Sequence, residues 1–379
     1  MWKGVSLLRL WTVRNKYLET LLHSLICAAV AGIRRPEIVH VHGIGPAIVT
    51  PLLRVLGLRV VVTHHGEDYR REKWGRAARS MLRLGEVLGM RLAQRRIAVS
   101  RTIAELIASK YGPCEAIPNG VLFPEIPLQT NRVEELGLAP GRYVLTVGRL
   151  VPEKRQLDLL QAFRNAGLQG WKLAIVGRID HESIYADRLA SEAGVTEGVV
   201  MAGYQSGETL HQLYAHAGVF VLPSSHEGFP IALLEALSYG LPTLVSDIPS
   251  NMEAVSDPAC FFKVGDIGSL SFKLASFAEI RMDASEREAV RRDNAGRYNW
   301  SDIARRTAAL YSNLTGADDQ AAPPCPILVE APIAPVAPIS PIASIPAVAP
   351  IAAGTAMYEE FAGVPKPAMT QTPQQANAA

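Results

Sequence analysis

Short apolar runs that stop at turn residues and lead into helical stretches recur from residue 37 to about residue 261, which confines the chain to parallel-sheet architectures. The runs are too short for helices and too uniformly apolar for a sheet with one wet face. Helices must therefore cover both sides of the sheets they build. The first series has strands at 37–42, 59–63 and 96–100, with helices over about 17–33, 46–56 and 101–110 and a basic helical stretch before residue 96. Ile117-Pro-Asn-Gly-Val121 closes it. A second series runs from Tyr143 to about Phe261. With 379 residues and 48% apolar composition, the chain has room for two Rossmann-like parallel-sheet domains of ordinary size, at 1–125 and 126–315, and an appendage at 316–379.

The chemistry concentrates at His226-Glu-Gly-Phe-Pro-Ile-Ala-Leu-Leu-Glu235. The apolar run Val219-Phe-Val-Leu-Pro223 precedes it, and Tyr239-Gly240-Leu-Pro242 stops the helix that follows. In such a strand, loop and helix unit the first helical N–H groups, here from Phe229 to Ala232, face the loop and suit a phosphate. Glu227 lies at the mouth of the loop. Glu235 follows after seven intervening residues, about two turns into the helix, placed to accept hydrogen bonds from a ribose. By spacing alone, Glu227 also reads as a helix-start charge and Glu235 as a solvated helix residue. Upstream, Tyr143-Val-Leu-Thr-Val-Gly148-Arg149 is a strand ending at a cation, and Lys154 follows at the start of the next helix. A planar guanidinium and an ammonium point charge together suit a diphosphate. Gly177 and Gly203 end two further strands, where the lack of a side chain lets a nucleotide come close.

Glu227-Gly-Phe-Pro-Ile-Ala-Leu-Leu-Glu235 resembles the Glu-x7-Glu signature of retaining glycosyltransferases of the family-4 type, which have the GT-B fold. The resemblance implies that Glu227 faces the donor sugar, that Glu235 holds the nucleotide ribose, and that Arg149 and Lys154 bind the pyrophosphate. Gly228, Phe229, Pro230 and Ile231 form the rest of the donor grip. The stretch from Thr63 to Trp74, with Thr63-His-His-Gly-Glu-Asp-Tyr69 at its head, is similar to bacterial surface-polysaccharide transferases. It implies that His65 lies against the donor sugar or its phosphate near the reacting centre. The expected activity is transfer of a sugar, with retention, from a nucleotide-diphosphate sugar to a polysaccharide or lipid-linked saccharide. Two other classes share the grip: a nucleotide-sugar epimerase, and a non-catalytic nucleotide-binding scaffold. Against the family, roughly the first third of the first domain has no counterpart here. That domain is expected to be incomplete, with an uncovered sheet edge open to aggregation or a partner.

His40 and His42 lie i, i+2 on one strand, the spacing of a metal pair, but His42 runs into a Gly turn and the plainer reading of His40 is a satisfied core histidine. With no Asp-x-Asp triplet in the chain, no diphosphate-bridging metal and no cofactor are expected. The net charge of +2 gives no case for nucleic acid.

Charge is nevertheless uneven. Arg70, Arg71, Lys73, Arg76, Arg79, Arg83, Arg91, Arg95, Arg96 and Arg101 cluster around Met81, Leu84, Leu88 and Leu92, which recur at helical spacing. Such a helix either docks on anionic lipid beside a lipid-linked acceptor or packs in the core with a solvated basic face. Cys27, Cys114, Cys260 and Cys325 are widely spaced, no run reaches the roughly 20 apolar residues of a span, and the start lacks a secretory layout, so a cytoplasmic protein is expected. Beyond residue 316, Pro332, Pro335, Pro338 and Pro341 recur every third residue among Ala, Ile and Val. That segment is expected to be a disordered, polyproline-rich tail. A candidate last helix, Tyr298 to Leu314 with a Ser301 cap, is expected to cross back onto the first domain.

Overall fold

The computed structural model describes residues 6–12, 19–71, 74–179, 183–280 and 282–316. The expected tail, Lys73 and Cys325 lie outside the described residues. The first sheet comprises β1 (Ile38–His42), β2 (Arg59–His64), β3 (Arg95–Ala98) and β4 (Glu115–Ala116), in that spatial order. The second contains β5 (Tyr143–Val147), β6 (Lys172–Val176), β7 (Val199–Gly203), β8 (Val219–Leu222), β9 (Thr243–Ser246) and β10 (Phe261–Phe262), in the order β10-β9-β8-β5-β6-β7. The ladders joining these strands are parallel. The chain thus has two parallel-sheet α/β domains, with β1 the outer strand of the first and Ile38, Val39 and His40 on it only partly buried.

Uniform apolarity of the strands follows from cover on both faces. Tyr143, Leu145, Phe220 and Leu222 pack into one hydrophobic cluster, while Val144, Leu173, Val219 and Val221, pointing the other way, pack into a second. Each such fully buried aliphatic side chain contributes about 1.5–3 kcal/mol relative to exposure. In the first sheet Val61 points away from Val60 and Val62 and joins Ile97, Ile117, Ile303 and Leu310. The last two belong to the helix Trp300–Thr315, so the end of the described chain packs on the first sheet. Its cap is Asn299, whose side chain accepts from the Asp302 N–H at 2.9 Å, and not Ser301. Ser301 lies inside the first turn because the helix starts two residues earlier than its apolar pattern suggests.

The basic helix, Arg76–Leu92, also departs from its sequence reading. Its buried stripe is Ala78, Leu82, Gly85, Glu86, Gly89 and Met90, one step away from the expected leucine row. Glycines decide the rotation. A Cβ on Gly85 would stand 2.1 Å from the Ile44 carbonyl oxygen, and one on Gly89 would stand 2.6 Å from the Ala47 Cβ. The helix presses its bare backbone against the turn after β1, which leaves Leu84 and Leu92 50% and 41% exposed.

In the second sheet the strand order reverses between β5 and β8. Crevices that take ligands form beyond the carboxyl ends of strands at such a switch point. The two loops that leave β5 and β8 there carry Arg149 and Lys154 on one side and Glu227 on the other.

Candidate functional site

Backbone geometry brings the β5 and β6 loops into contact before any ligand is considered. A Cβ on Gly177 would lie 1.9 Å from the Gly148 carbonyl oxygen, so this approach requires glycine. Gln156 Nε2 donates to the Arg149 carbonyl at 2.8 Å and steadies the turn into the helix Gln156–Ala166. Arg155, at the junction, takes a left-handed conformation with φ 50°. A non-glycine residue held there is a local strain of the kind that clusters at functional loops. Lys154 lies along Gly148 and its ammonium meets Glu227 Oε1 at 2.5 Å, with the two side chains 15% and 11% exposed.

The β8 loop places the rest of the expected grip. Gly228 touches the first domain: a Cβ there would stand 1.8 Å from the His65 carbonyl oxygen, and one on Gly66 would stand 3.2 Å from the Gly228 Cα. Phe229 is buried against Tyr298, and its carbonyl accepts from Asn119 Nδ2 at 3.2 Å. Pro230 begins the helix Ile231–Ser238, which no side chain caps. Its carbonyl takes the Leu233 and Leu234 N–H groups at 3.1 and 3.2 Å, so of the predicted N–H set only Ile231 and Ala232 belong to the helix, Pro230 having no N–H. Ile231 itself is half exposed.

Glu235 lies further along this helix with Oε2 accepting from the Tyr214 hydroxyl at 2.8 Å. Burial pushes its carboxyl above the usual range, and the Tyr214 hydrogen bond opposes that only in part. Tyr214 is stacked on Tyr239 with ring centroids 5.6 Å apart. Nothing in the sequence pattern marks Tyr214, because its contact spans 21 residues and two elements.

On the first domain His65 Nε2 sits 3.1 Å from His42 Nδ1. Burial, and then His42, depress its pKa, with Asp68 pulling the other way. His65 is therefore neutral at ordinary pH and carries one N–H and one lone pair. His64, fully buried, accepts from the Gly66 N–H at 3.2 Å and approaches Glu86 at 3.4 Å. His40 is held at both ring nitrogens, by Tyr311 at 2.5 Å and Thr63 at 2.6 Å, as a satisfied histidine would be. Burial and its histidine neighbours lower its pKa to about 4. Among the described residues no cluster of three or more His, Cys, Asp or Glu side chains could hold a metal ion.

The structure thus collects Lys154, Glu227, Gly228 and His65 at one junction between the domains. Asn119 and Glu253 also bridge that junction, and sequence reading missed both. Asn119 belongs to a Pro-Asn-Gly segment that reads as a turn signal only, and the Glu253 carboxylate accepts from the Arg101 N–H at 2.8 and 2.9 Å. A cleft of about 550 Å³ opens beside Glu227 and Gly228, with Gly66 and Glu67 of the first domain also on its lining.

Comparison with known proteins gives two family matches, to glycosyl transferases group 1 over residues 130–296 and to glycosyltransferase family 4 over residues 6–121. A GDP-mannose:cellobiosyl-diphosphopolyprenol alpha-mannosyltransferase of Xanthomonas campestris is 32% identical, over 59% of this chain and 59% of its own length. The O-antigen chain mannosyltransferase B of Escherichia coli is 31% identical, over 48% of this chain and 49% of its own. The chain therefore spans about half to three fifths of the length of these relatives. Among solved structures, sucrose-phosphate synthase from Thermosynechococcus elongatus superposes with a TM-score of 0.67 at 21% identity, over 81% of each chain. HepE of Anabaena, in complex with UDP and glucose, gives 0.66 at 19%, over 78% of this chain and 83% of its own. At that identity these two speak to fold.

Proposed function

Since the chain belongs to the family-4 glycosyltransferases of GT-B fold, we propose that it transfers a sugar, with retention, from a nucleotide-diphosphate sugar to a polysaccharide or lipid-linked saccharide. The observation that carries this reading is the junction of Gly66 with Gly228, which sets His65 beside the β8 loop, whose Glu227 is paired with Lys154 of the β5 loop. Departure of the nucleotide places negative charge on the diphosphate. Lys154, Arg149 and the start of the helix Ile231–Ser238 stabilise it electrostatically, a role that a divalent ion fills in other transferases. Glu227 orients the sugar hydroxyls and Glu235 accepts from the ribose. His65 hydrogen-bonds the sugar or its phosphate at the reacting centre. In a retaining transfer without a protein nucleophile, the acceptor arrives on the face the diphosphate leaves, and that phosphate takes the acceptor's proton.

Calorimetric titration with UDP, GDP and dTDP tests the donor half. One nucleotide is expected to bind, and Glu235→Gln, which keeps an acceptor for Tyr214, is expected to weaken it about tenfold, or 1.4 kcal/mol. The ionised carboxylate is the better acceptor and burial raises its pKa. Affinity should consequently fall as the pH is lowered, beginning at a higher pH than an ordinary glutamate would give, and this slope should vanish in the variant. Equal affinity in the two proteins removes Glu235 from the ribose site.

The same reading gives the basic helix its role. Leu84 and Leu92 are exposed beside exposed Arg83, Arg91 and Arg95, an apolar row flanked by cations suited to the surface of an anionic membrane. Among the described residues no helix is long and apolar enough to cross a bilayer. In sedimentation with phosphatidylglycerol vesicles the protein should pellet, and Leu84→Ser with Leu92→Ser should leave most of it in solution. Equal pelleting of wild type on pure phosphatidylcholine would reject the electrostatic part.

A further inference from the structure

Two histidines are adjacent at the end of β2, and the junction with the β8 loop uses only the second, His65. Strand alternation sends His64 the other way, to the face on which Val60 and Val62 share a hydrophobic cluster with Met90 of the helix Arg76–Leu92. A buried row of that kind ordinarily ends in another apolar residue. Here it ends in an imidazole that is 0% exposed, beside a Glu86 that is 4% exposed. Well-packed apolar residues of the same volume would commonly stabilise a domain as much or more. We propose that Glu86 and His64 are positioning residues for the transfer reaction, fixing the turn at Gly66 and through it the place of His65 against the β8 loop, an assignment that rests on the transfer reading above and adds what sets the geometry of its junction.

The hydrogen bonds give the pair a direction. The Gly66 N–H donates to His64 Nδ1 at 3.2 Å, so the ring proton sits on Nε2, which faces Glu86 Oε2 at 3.4 Å. Glu86 Oε1 accepts from the hydroxyl of Tyr111, the last residue of the helix Arg101–Tyr111, at 3.1 Å. Burial pushes the Glu86 carboxyl up, but the donors around it, His64 first, hold it below the usual range, so it accepts as an ion on both sides. A side-chain amide has one acceptor oxygen. Its NH2, turned to His64, would draw the ring proton to Nδ1 and expel the Gly66 N–H. The carboxylate keeps the tautomer, and the tautomer keeps the turn.

Gly66 is where that turn meets the other domain. Its φ of 131° suits glycine alone, and a Cβ on it would stand 3.2 Å from the Gly228 Cα. Glu86, His64, Gly66 and Gly228 thus form an unbroken path from a buried carboxylate to the loop of Glu227. His65 lies inside that path, with its ring 3.1 Å from His42 and free to face the donor.

Two substitutions at His64 separate positioning from packing. Asparagine presents Oδ1 where Nδ1 stands and still takes the Gly66 N–H, whereas glutamine presents its NH2 to Glu86 and leaves that N–H without its acceptor. Both lose much of the ring, so both should lower the unfolding temperature similarly. Hydrogen exchange on the full chain, read at the Gly66 amide and needing no substrate, should be about tenfold faster in His64→Gln than in His64→Asn. In transfer assays His64→Gln should lose about 100-fold in kcat with nucleotide affinity little changed, while His64→Asn stays within about tenfold of wild type. Glu86→Gln, nearly unchanged in shape, should speed Gly66 exchange and lower kcat in the same sense, and it carries the test should the His64 variants fail to fold. Equal losses of kcat in the two His64 variants, or wild-type kinetics and slow Gly66 exchange in Glu86→Gln, would overturn the assignment and leave the transfer reading standing. A wild type that transfers nothing, with the Gly66 amide still dividing the two His64 variants, would place the fault in the transfer reading and not in the turn.

Discussion

Replacing Gly228 with alanine is expected to lower kcat/KM for glycosyl transfer by at least about 100-fold, close to 2.7 kcal/mol of transition-state stabilisation. The added Cβ would stand 1.8 Å from the His65 carbonyl oxygen and 2.8 Å from its carbonyl carbon. Both obstacles are backbone, so no side-chain rotation relieves the clash. Either the β8 loop retreats, carrying Glu227 with it, or the domains part at this point. A displacement near 1 Å of reacting groups is enough for losses of this order. The substitution lies outside both hydrophobic cores, so thermal unfolding should barely change, and nucleotide affinity should fall far less than turnover. A variant with wild-type kinetics would mean that the Gly66–Gly228 approach is no part of the working enzyme.

That contact illustrates where sequence reading stopped. Parallel sheets were legible because the central strands are buried on both faces, and burial leaves its mark residue by residue, as in Val219 to Leu222. The β8 loop motif was legible because its glycine, proline and two glutamates are adjacent in the chain. Contacts that join distant segments leave no periodic trace. In sequence Gly228 belongs to the donor grip and Gly66 to the stretch from Thr63 to Trp74, and nothing in either segment shows that the backbone of residues 65 and 66 lies against Gly228. Tyr214 reads as one more aromatic residue of an amphipathic helix, while its hydroxyl is committed to Glu235. The rotation of the helix Arg76–Leu92 was misjudged for a related reason. A leucine row is the usual signature of a buried face, yet here two glycines permit a closer approach than leucines would, and Leu84 and Leu92 are turned outward.

The second large effect is expected at Lys154. With Nζ 2.5 Å from Glu227 and both side chains largely shielded, the ammonium and carboxylate hold each other at the mouth of the switch-point crevice. A diphosphate entering that crevice carries more charge than one carboxylate and draws the ammonium toward itself. On the proposed reading Glu227 would thereby be released toward the sugar hydroxyls that arrive with it, so one exchange of partner would arm two groups. Lys154→Met should reduce kcat about 100- to 1000-fold, the range for loss of one donor aimed at developing negative charge. It should weaken nucleoside diphosphate binding and leave nucleoside binding nearly intact, since the proposed ribose contact is Glu235. Glu227→Gln should lower kcat as well. If the two groups act as one unit, the double variant should be little worse than the poorer single, a coupling of about 0.5–3 kcal/mol in a double-mutant cycle. Strictly additive losses, or an equal loss of nucleoside and nucleotide binding in Lys154→Met, would reduce the ion pair to a contact of the empty cleft and take the diphosphate away from Lys154.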